Sequence, residues 1–330
     1  MKALVYTGPE QMVYRDEPDP QANDDVIVRV GACGICGSDM HAYHGHDARR
    51  PPQLILGHEA AGIATNGAFK GRRVAINPLV PCGSCDECLD GRPHVCGTRQ
   101  ILSMPPRPGA LAELVRVPER NLVLVPDGLA TEVAALAEPM AVGYHAVGLA
   151  ERALPRPLAA ARIAVIGGGA IGLGTAQILE CRGGRGITIA ETSEIRRIAM
   201  KKAGRFQPYD PRGSGAPGAN SMHLVIDAFG GKSSREEACR IVKPGGVIIH
   251  IGLASGEGGV DVRKLTLQEV SFIGSYCYTM VDFRETLAGL SSGQFGPIDW
   301  TEERPLAEGV KAFAELNDGK VAAGKIVLRM

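Results

Sequence analysis

The sequence predicts an α/β protein in which a β-rich, barrel-like part is joined to a doubly wound parallel sheet. The first indication is a change of pattern near residue 142. Before it, short apolar runs such as Val26 to Val30 and Leu114 to Val117 alternate with Gly/Pro turns. After it, strand-like runs alternate with helical patterns, from RIAVIGG and GLGTAQILECR to VIIHIG and SFIGSY. A further indication is a glycine-rich turn at 167–172, which lies between the first of these strands and the helix that follows it.

The remaining elements follow from similar patterns. Val74 to Ile76 and Leu122 to Val125 are further short strands of the β-rich part. The segment PRGSGAPGAN, residues 211–220, is too rich in Gly, Pro and Ser for a helix, so we predict a loop crossover there. A helix-like run from Leu306 to Leu316 precedes a terminal strand, Lys325 to Arg329. Periodicity alone does not place this tail.

Composition limits the partners and the compartment. The 330 residues include 36 basic and 36 acidic side chains, a balance that favours no polyanion, so no nucleic-acid partner is expected. No run approaches the roughly 18 apolar residues of a membrane helix, so we expect no membrane partner either. Nine cysteines, an odd number, with several at metal-like spacing, favour a reducing compartment. We therefore expect a cytoplasmic protein.

Four cysteines fall within fifteen residues, in the pattern C-x2-C-x2-C-x7-C: Cys82, Cys85, Cys88 and Cys96. Four thiolates that converge on one point suit the tetrahedral preference of a structural zinc ion. Such a site has no open coordination position, so it predicts stability and not chemistry.

The glycine-rich turn matches G-x-G-x-x-G, and its predicted cofactor contacts are Gly167, Gly169, Ala170, Ile171 and Gly172. Glycines there let backbone N–H groups approach a pyrophosphate at a helix N-terminus. Glu191, 19 residues past Gly172, would bind ribose hydroxyls and repel a 2′-phosphate, which favours NAD over NADP. Arg196 and Arg197 follow closely and keep some use of NADP open. Further contacts are predicted at strand ends, namely Asp227 and the turn Ile251-Gly252-Leu253.

A second metal site is predicted upstream. Cys36, His58 and one carboxylate would give three protein ligands and leave one position for water or substrate, as in a catalytic zinc site. Taken singly, Cys36 is equally explained as a small buried hydrophobe and His58 as a core histidine. The combination with the four cysteines and the glycine-rich turn favours the metal.

With these motifs, the sequence resembles the zinc-dependent medium-chain dehydrogenase/reductase family. GHEAAG matches its G-H-E-x-x-G signature, CGICGSDMH matches its active-site loop, and the similarity covers essentially the whole chain. The resemblance implies a GroES-like β-barrel catalytic domain, residues 1–142 and 282–330, with the structural-zinc lobe at 82–96. It also implies a Rossmann doubly wound parallel sheet that binds NAD, residues 143–281.

The resemblance implies roles for single residues. Cys36 and His58 would be zinc ligands, and the third protein ligand would be either Glu59 or Glu138. Ser38 would pass the alcohol proton through the nicotinamide ribose to His41, which reaches solvent.

Tyr43 and Tyr278 would form walls of the substrate pocket. Sorbitol dehydrogenases often carry an arginine where this chain has Cys277, which weakens a specific assignment to sorbitol.

The implied function is a dehydrogenase with two zinc ions per chain and NAD, which oxidises a small secondary alcohol, foremost a polyol or sugar alcohol. An L-threonine 3-dehydrogenase-like oxidation of an amino alcohol is the alternative within the family. A non-catalytic NAD-binding sensor or structural protein on the same fold is the alternative of another class. Family members form dimers and tetramers, so a homo-oligomer is expected.

Overall fold

The computed structural model describes all 330 residues and contains eighteen strands and ten α-helices. The strands of the N-terminal part are β1 (Lys2–Gly8), β2 (Gln11–Asp16), β3 (Val26–Gly34), β4 (Leu54–Ile55), β5 (Glu59–Ala64), β6 (Arg73–Ile76), β7 (Leu79–Val80), β8 (Gln100–Ile101), β9 (Leu114–Val117) and β10 (Leu122–Leu124). The later strands are β11 (Ile163–Ile166), β12 (Thr188–Ala190), β13 (Gln207–Tyr209), β14 (Met222–Asp227), β15 (Val242–His250), β16 (Ser271–Gly274), β17 (Thr301–Pro305) and β18 (Lys325–Arg329).

The helices are α1 (Gly37–Tyr43), α2 (Asp86–Leu89), α3 (Thr131–Ala135), α4 (Ala137–Ala153), α5 (Ala170–Cys181), α6 (Glu194–Met200), α7 (Lys232–Ile241), α8 (Val262–Leu267), α9 (Met280–Ser292) and α10 (Gly309–Asn317). Short 3-10 helices occupy Pro93–Val95, Glu119–Asn121, Leu158–Ala160 and Leu306–Glu308. No helix is long and apolar enough to cross a membrane.

Strands β11 to β16 form one parallel sheet in the order β13-β12-β11-β14-β15-β16. Every residue of β11 and β14 is buried, as expected for central strands with helices on both faces. Chain order reverses between β11 and β14, and such sheets bind ligands at the carboxyl ends of the strands beside that point. The predicted fold class, a doubly wound parallel sheet beside a β-rich domain, is confirmed.

The connections within this sheet follow the sequence pattern. Helices α5, α6, α7 and α8 each link consecutive strands. The link from β13 to β14 has no helix and runs through residues 211–220, the segment predicted as a loop. Gly disfavours a helix there because its backbone is unusually free and loses more entropy on folding. Pro disfavours one because it has no backbone N–H to donate.

The β-rich part is built around β3. This strand pairs antiparallel with β5, β9 and β18, and the sheet continues through β6 to β10 and through β18 to β17. The last strand of the chain therefore lies beside one of the first. Non-local pairing explains why periodicity could not place the tail.

Helix α4 joins the two parts. It packs against α5 and α9, and its buried side is almost entirely small or apolar, with Ala141, Gly143 and Ala146 near its centre. The predicted domain boundaries at 142 and 282 fall inside α4 and α9, and they stay a prediction.

Candidate functional site

Cys36, His58 and Glu59 meet because two neighbouring strands end at the same place. Cys36 lies just after β3 and caps α1, whereas His58 precedes β5 and Glu59 begins it. The antiparallel register pairs Gly34 of β3 with Glu59 of β5. One donor atom from each of Cys36, His58 and Glu59 lies within 4.8 Å of the other two. The arrangement matches the three protein ligands of an open zinc site.

The electrostatics of this cluster suit a cation. Glu59 is fully buried; its Oε1 accepts a hydrogen bond from Lys325 Nζ at 2.6 Å, and its Oε2 has no hydrogen-bond partner. Burial would lower the pKa of His58, but the negative charges of Cys36, Asp39 and Glu138 raise it to about 10. The raised pKa of His58 thus reflects the acidic groups gathered around it, whose negative charge a divalent cation would balance. Sulfur, nitrogen and oxygen donors together suit zinc.

Sequence reasoning missed Asp39, which organises the cluster. It is fully buried; one carboxylate oxygen accepts a hydrogen bond from the Cys36 N–H at 2.9 Å and the other from the Gly57 N–H at 3.2 Å. His58 Nδ1 lies 3.7 Å from Asp39 Oδ1. Asp39 thus holds the backbone of Cys36 and Gly57 by hydrogen bonds and places a carboxylate near the His58 ring without bonding to it. Its position inside CGICGSDMH was the available signal.

Lys325 was also missed as a site residue. Its ammonium is 3% exposed and donates to Glu59 Oε1 at 2.6 Å and to the Ile35 carbonyl at 2.8 Å. These contacts join residues almost 300 positions apart, so no local motif could indicate them.

Glu138 lies near the cluster but outside the set of mutually close donors. Tyr278 donates a hydrogen bond to Glu138 Oε1 at 2.7 Å, and both side chains are buried. Burial is the main reason that the pKa of Glu138 is raised to about 6. Tyr278 also lines a cavity of about 180 Å³ with His94 and Met280. The structure therefore joins Glu138 and Tyr278 as a hydrogen-bonded pair beside the cluster.

Ser38 and His41 lie on α1, which Cys36 caps, so they lie within about a turn and a half of it. Ser38 Oγ accepts a hydrogen bond from Arg50 Nη2 at 3.3 Å, and Arg50 is buried with its Nη1 on Asp47 Oδ2 at 2.7 Å. His41 is half-buried, and its pKa is lowered, first by burial and then by His44 and His46. A hydroxyl and a neutral imidazole on one helix can pass a proton outward.

Tyr43 lies elsewhere. Its ring is buried and packs on Phe313 of α10, with 5.5 Å between ring centroids. The structure does not bring it into contact with Tyr278. The contact between Tyr43 and Phe313 is a packing contact, and a role for Tyr43 in a substrate pocket stays a prediction.

The four cysteines of the lobe converge. Their sulfur atoms lie within 4.8 Å of one another, with Cys85–Cys88 at 3.5 Å, Cys96–Cys82 at 3.6 Å and Cys82–Cys88 at 3.9 Å. A tetrahedral zinc with Zn–S bonds of about 2.3 Å places its sulfurs about 3.8 Å apart, so these spacings fit the ion. The backbone N–H groups of Ser84 and Cys85 lower the pKa of Cys82 to about 5, which favours the thiolate that zinc requires.

The glycine-rich turn has the backbone that a pyrophosphate site needs. Gly167 has φ of +102°, and a Cβ on Gly172 would lie 1.8 Å from the Gly167 carbonyl oxygen. Only glycine allows this close approach of α5 to β11. No atom lies within 4 Å of a Cβ placed on Gly169, so the space in front of the helix is open. Ala170 and Ile171 form the first turn of α5.

Glu191 stands beside this turn, as predicted from its spacing. Its Oε2 accepts a hydrogen bond from the Gly168 N–H at 3.2 Å, and its Oε1 accepts one from the Ser193 N–H at 2.8 Å. Arg196 is directed elsewhere, with its Nε donating to the Val321 carbonyl at 3.3 Å. Arg197 is the arginine that contacts Glu191, through the backbone oxygen at 2.7 Å.

Asp227 and the turn after β15 lie at the carboxyl edge of the sheet. Asp227 is fully buried, and its carboxylate accepts hydrogen bonds from the Gly230 N–H at 2.8 Å and Ser234 Oγ at 2.9 Å. We therefore assign Asp227 to holding the turn that follows β14. The N–H groups of Ile251 and Gly252 donate to the Asp227 backbone oxygen at 2.9 and 3.0 Å.

Two large apolar side chains are exposed to solvent at the carboxyl edge of the sheet. Leu253 is 70% exposed, and Phe229, which sequence reasoning missed, is 51% exposed. Large apolar side chains exposed beside a ligand-binding edge indicate a surface that a ligand can cover.

Comparison with known proteins agrees with this geometry. Residues 22–127 match the family model of the alcohol dehydrogenase GroES-like domain, and residues 170–292 match that of the zinc-binding dehydrogenase. The chain is 33% identical over 297 residues to the sorbitol dehydrogenase of Bacillus subtilis, covering 84% of this chain and 82% of that protein. It is 29% identical over 308 residues to the L-galactonate-5-dehydrogenase of Escherichia coli K12, covering 89% and 88%. The solved structure of an alcohol dehydrogenase from Escherichia coli CFT073 with NADH superposes with a TM-score of 0.89 and 26% identity, covering 100% and 99% of the two chains.

Proposed function

Because the chain belongs to the zinc-dependent medium-chain dehydrogenase/reductase family and is a zinc- and NAD-dependent dehydrogenase, we propose that it oxidises a secondary alcohol of a polyol or sugar alcohol. The observation that carries this proposal is the open set of three donors, Cys36, His58 and Glu59, within 4.8 Å of one another. The relatives named for sorbitol and L-galactonate act on polyhydroxylated compounds, which supports the substrate class.

Glu59 is the third protein ligand in this proposal. Its support is that Glu59 belongs to the set of close donors and has a buried Oε2 with no hydrogen-bond partner, whereas the Oε1 of Glu138 is engaged by Tyr278. The four lobe cysteines would hold the second, structural zinc.

Zinc held by Cys36, His58 and Glu59 would act as a Lewis acid that lowers the pKa of a coordinated substrate hydroxyl. The chain itself must then carry the released proton to solvent. Ser38 would accept and pass it, and the bond that Arg50 donates to its oxygen supports this role because it leaves the Ser38 O–H free to donate. His41 receives it as a neutral base, since burial and its histidine neighbours lower its pKa.

NAD would lie along the carboxyl edge of the parallel sheet. The Gly167–Gly172 turn would receive the pyrophosphate, and Glu191 would accept hydrogen bonds from the adenosine ribose. The turn Ile251-Gly252-Leu253, with Phe229 beside it, would cover the nicotinamide half. Open space at Gly169 and the exposed apolar side chains support this path.

The substrate pocket would include Tyr278 and the adjacent Cys277. Burial, the main cause, raises the pKa of Cys277 to about 12, so its thiol is neutral. The uncharged hydroxyl of Tyr278 and thiol of Cys277 suit the hydroxyl groups of a polyol better than the charged groups of threonine.

The compartment and assembly are part of the proposal. We infer a cytoplasmic homo-oligomer, a dimer or a tetramer. None of the nine cysteines forms a disulfide, which supports a reducing compartment, and the family resemblance supports the oligomer. Light scattering on the purified protein measures the assembly directly.

The test is NAD reduction with a panel of sorbitol, xylitol, L-galactonate, simple secondary alcohols and L-threonine. We expect the highest kcat/KM with a polyol or a sugar acid. If activity is highest with L-threonine, the proposed polyol substrate is wrong and the substrate is an amino alcohol. No activity with any compound, in protein shown to hold zinc and bind NADH, would favour a non-catalytic NAD-binding role.

A further inference from the structure

Two arginines reach the backbone beside Glu191 from separate elements. Arg197 of α6 donates from Nη1 to the Glu191 carbonyl at 2.7 Å. Arg212, in the loop after β13, donates from Nη2 to the Thr192 carbonyl at 2.7 Å. We call Arg197 and Arg212 the arginine pair. Neither belongs to the glycine-rich turn, and neither has a role in the proposed reaction.

One carboxylate holds the arginine pair. Arg212 forms a two-pronged contact with Asp210, from Nε to Oδ1 at 2.9 Å and from Nη2 to Oδ2 at 2.9 Å. Arg197 Nη1 lies 3.3 Å from Asp210 Oδ2. The hydrogen bonds from Arg212 hold the pKa of Asp210 well below its ordinary value, so the carboxylate is charged at neutral pH. Asp210 thus neutralises two cations at once.

The local charges balance. Arg197 and Arg212 contribute two positive charges, and Glu191 and Asp210 contribute two negative charges. NAD carries only hydroxyl groups on its adenosine ribose, whereas NADP carries a 2′-phosphate dianion there. Guanidinium groups bind phosphate strongly and often by two parallel hydrogen bonds. The arginine pair thus has the chemistry that binds a phosphate, and Asp210 contacts both of its members.

We propose that Asp210 is a second determinant of cofactor choice, which acts with Glu191 by keeping the arginine pair from binding the 2′-phosphate of NADP. This proposal rests on the proposed position of NAD at the Gly167–Gly172 turn. Glu191 places a carboxylate where the phosphate would lie, and Asp210 holds the cations that would attract it. Loss of Glu191 alone removes repulsion but leaves the arginines engaged. Loss of both acids leaves the two guanidinium groups held only by the Glu191 and Thr192 carbonyls, so each keeps N–H groups that can donate to a phosphate.

The experiment measures dissociation constants of NADPH and NADH by fluorescence, without any substrate. The proteins are the full chain, Glu191→Gln, Asp210→Asn and the double variant. We expect Asp210→Asn alone to change NADPH affinity less than about threefold, because Glu191 still repels the phosphate. Glu191→Gln should improve it about tenfold, and the double variant about tenfold further, as expected for one added charge-assisted hydrogen bond.

Matched variants separate this effect from a general change in charge. Adding both Arg197→Gln and Arg212→Gln to the double variant should abolish the second improvement, because Asp210 engages both arginines. Asp16→Asn, which removes an exposed carboxylate paired with Lys2, should give no improvement when combined with Glu191→Gln. NADH binding and an unchanged melting temperature report that each variant is folded. Asp210→Ser provides a second variant with the same expected result.

The outcomes are distinguishable. If wild-type protein binds NADH but the double variant binds NADPH no better than Glu191→Gln, the role of Asp210 is wrong. The role is also wrong if the improvement survives loss of both Arg197 and Arg212. If wild-type protein does not bind NADH, the cofactor position fails, and this proposal fails with it.

Discussion

The lobe of four cysteines and the cluster of Cys36, His58 and Glu59 are both sets of metal donors, but they are built in opposite ways. The lobe donors lie within fifteen residues, and local N–H groups of Ser84 and Cys85 contact the Cys82 sulfur at 3.4 and 3.3 Å. The open cluster joins β3, β5 and β18, and its balancing cation, Lys325, is 266 residues from Glu59. The lobe is held by local backbone, whereas the cluster is held by the sheet.

This difference assigns the two sites to different roles, the lobe to stability and the open cluster to catalysis. Four sulfur donors complete a tetrahedron and leave nothing for substrate, so the lobe can contribute only to folding. Three donors leave one position open, and burial of Glu59 and His58 keeps bulk water away from it. The two sites should therefore respond differently to the same kind of substitution.

The largest expected effect is loss of turnover on removing a donor of the open cluster. Cys36→Ser should lower kcat by at least about a thousandfold, since metal-assisted polarisation contributes several kcal/mol to the transition state. Zinc content, measured by mass spectrometry, should fall from about two ions per chain to about one. Activity within tenfold of wild type would show that the cluster is not the reaction centre.

Removal of the relay hydroxyl should have the next largest effect. Ser38→Ala should lower kcat about a hundredfold, as expected for loss of a positioned proton acceptor, with little change in NADH affinity. Ser38→Thr keeps the hydroxyl and serves as the control, so it should retain most of the activity. Equal losses in the two variants would indicate a packing effect instead.

The dependence of the open cluster on the distant tail can be measured directly. In the zinc-free protein, Lys325→Met should lower the free energy of unfolding by about 3–5 kcal/mol, because it leaves the buried Glu59 carboxylate without a cation. Lys320→Met is the control, since Lys320 forms an exposed pair with Asp318 and its loss should change stability little. Chemical denaturation compares both. Similar losses would mean that burial of the pair does not matter.

The lobe should show the reverse behaviour to the open cluster. Cys88→Ser should lower the melting temperature by about 5 °C or more, through loss of a bound ion that stabilises the folded state. The kcat of the protein that remains folded should stay within about tenfold of wild type, because no lobe sulfur faces the open position. A loss of kcat as large as that of Cys36→Ser would overturn the division between the two sites.

The smallest expected effect concerns pH. Burial, then His44 and His46, lower the pKa of His41, so His41 remains an unprotonated base below its ordinary value near 6.5. Activity should persist as pH falls through 6.5 and decline only at lower pH, as His41 gains its proton. Replacing His44 and His46 by Asn removes the second cause of the lowered pKa, the repulsion between these histidines and His41. The pKa of His41 should rise, and the acid limb of the kcat profile should move to slightly higher pH. A shift of the acid limb to lower pH would contradict the conclusion that His44 and His46 lower the pKa of His41.

Much of this protein is determined by local sequence. The four-cysteine spacing, the G-x-G-x-x-G turn and the 19-residue separation to Glu191 each depend on short stretches whose geometry the backbone imposes. The fold class follows from alternation of strand and helix patterns, and even the helix-free crossover at 211–220 follows from composition. These features are readable because their interacting groups are neighbours in the chain.

The tertiary structure alone decided the rest. It placed Glu59 among the close donors and Glu138 against Tyr278, whereas the third ligand itself stays a prediction. It brought Lys325 from the terminal strand to Glu59, buried Tyr43 against Phe313 and directed Arg197, not Arg196, to Glu191. The physical reason is the same in each case. Side-chain contacts across strand registers and between packed helices depend on pairings between distant residues, and no local pattern records them.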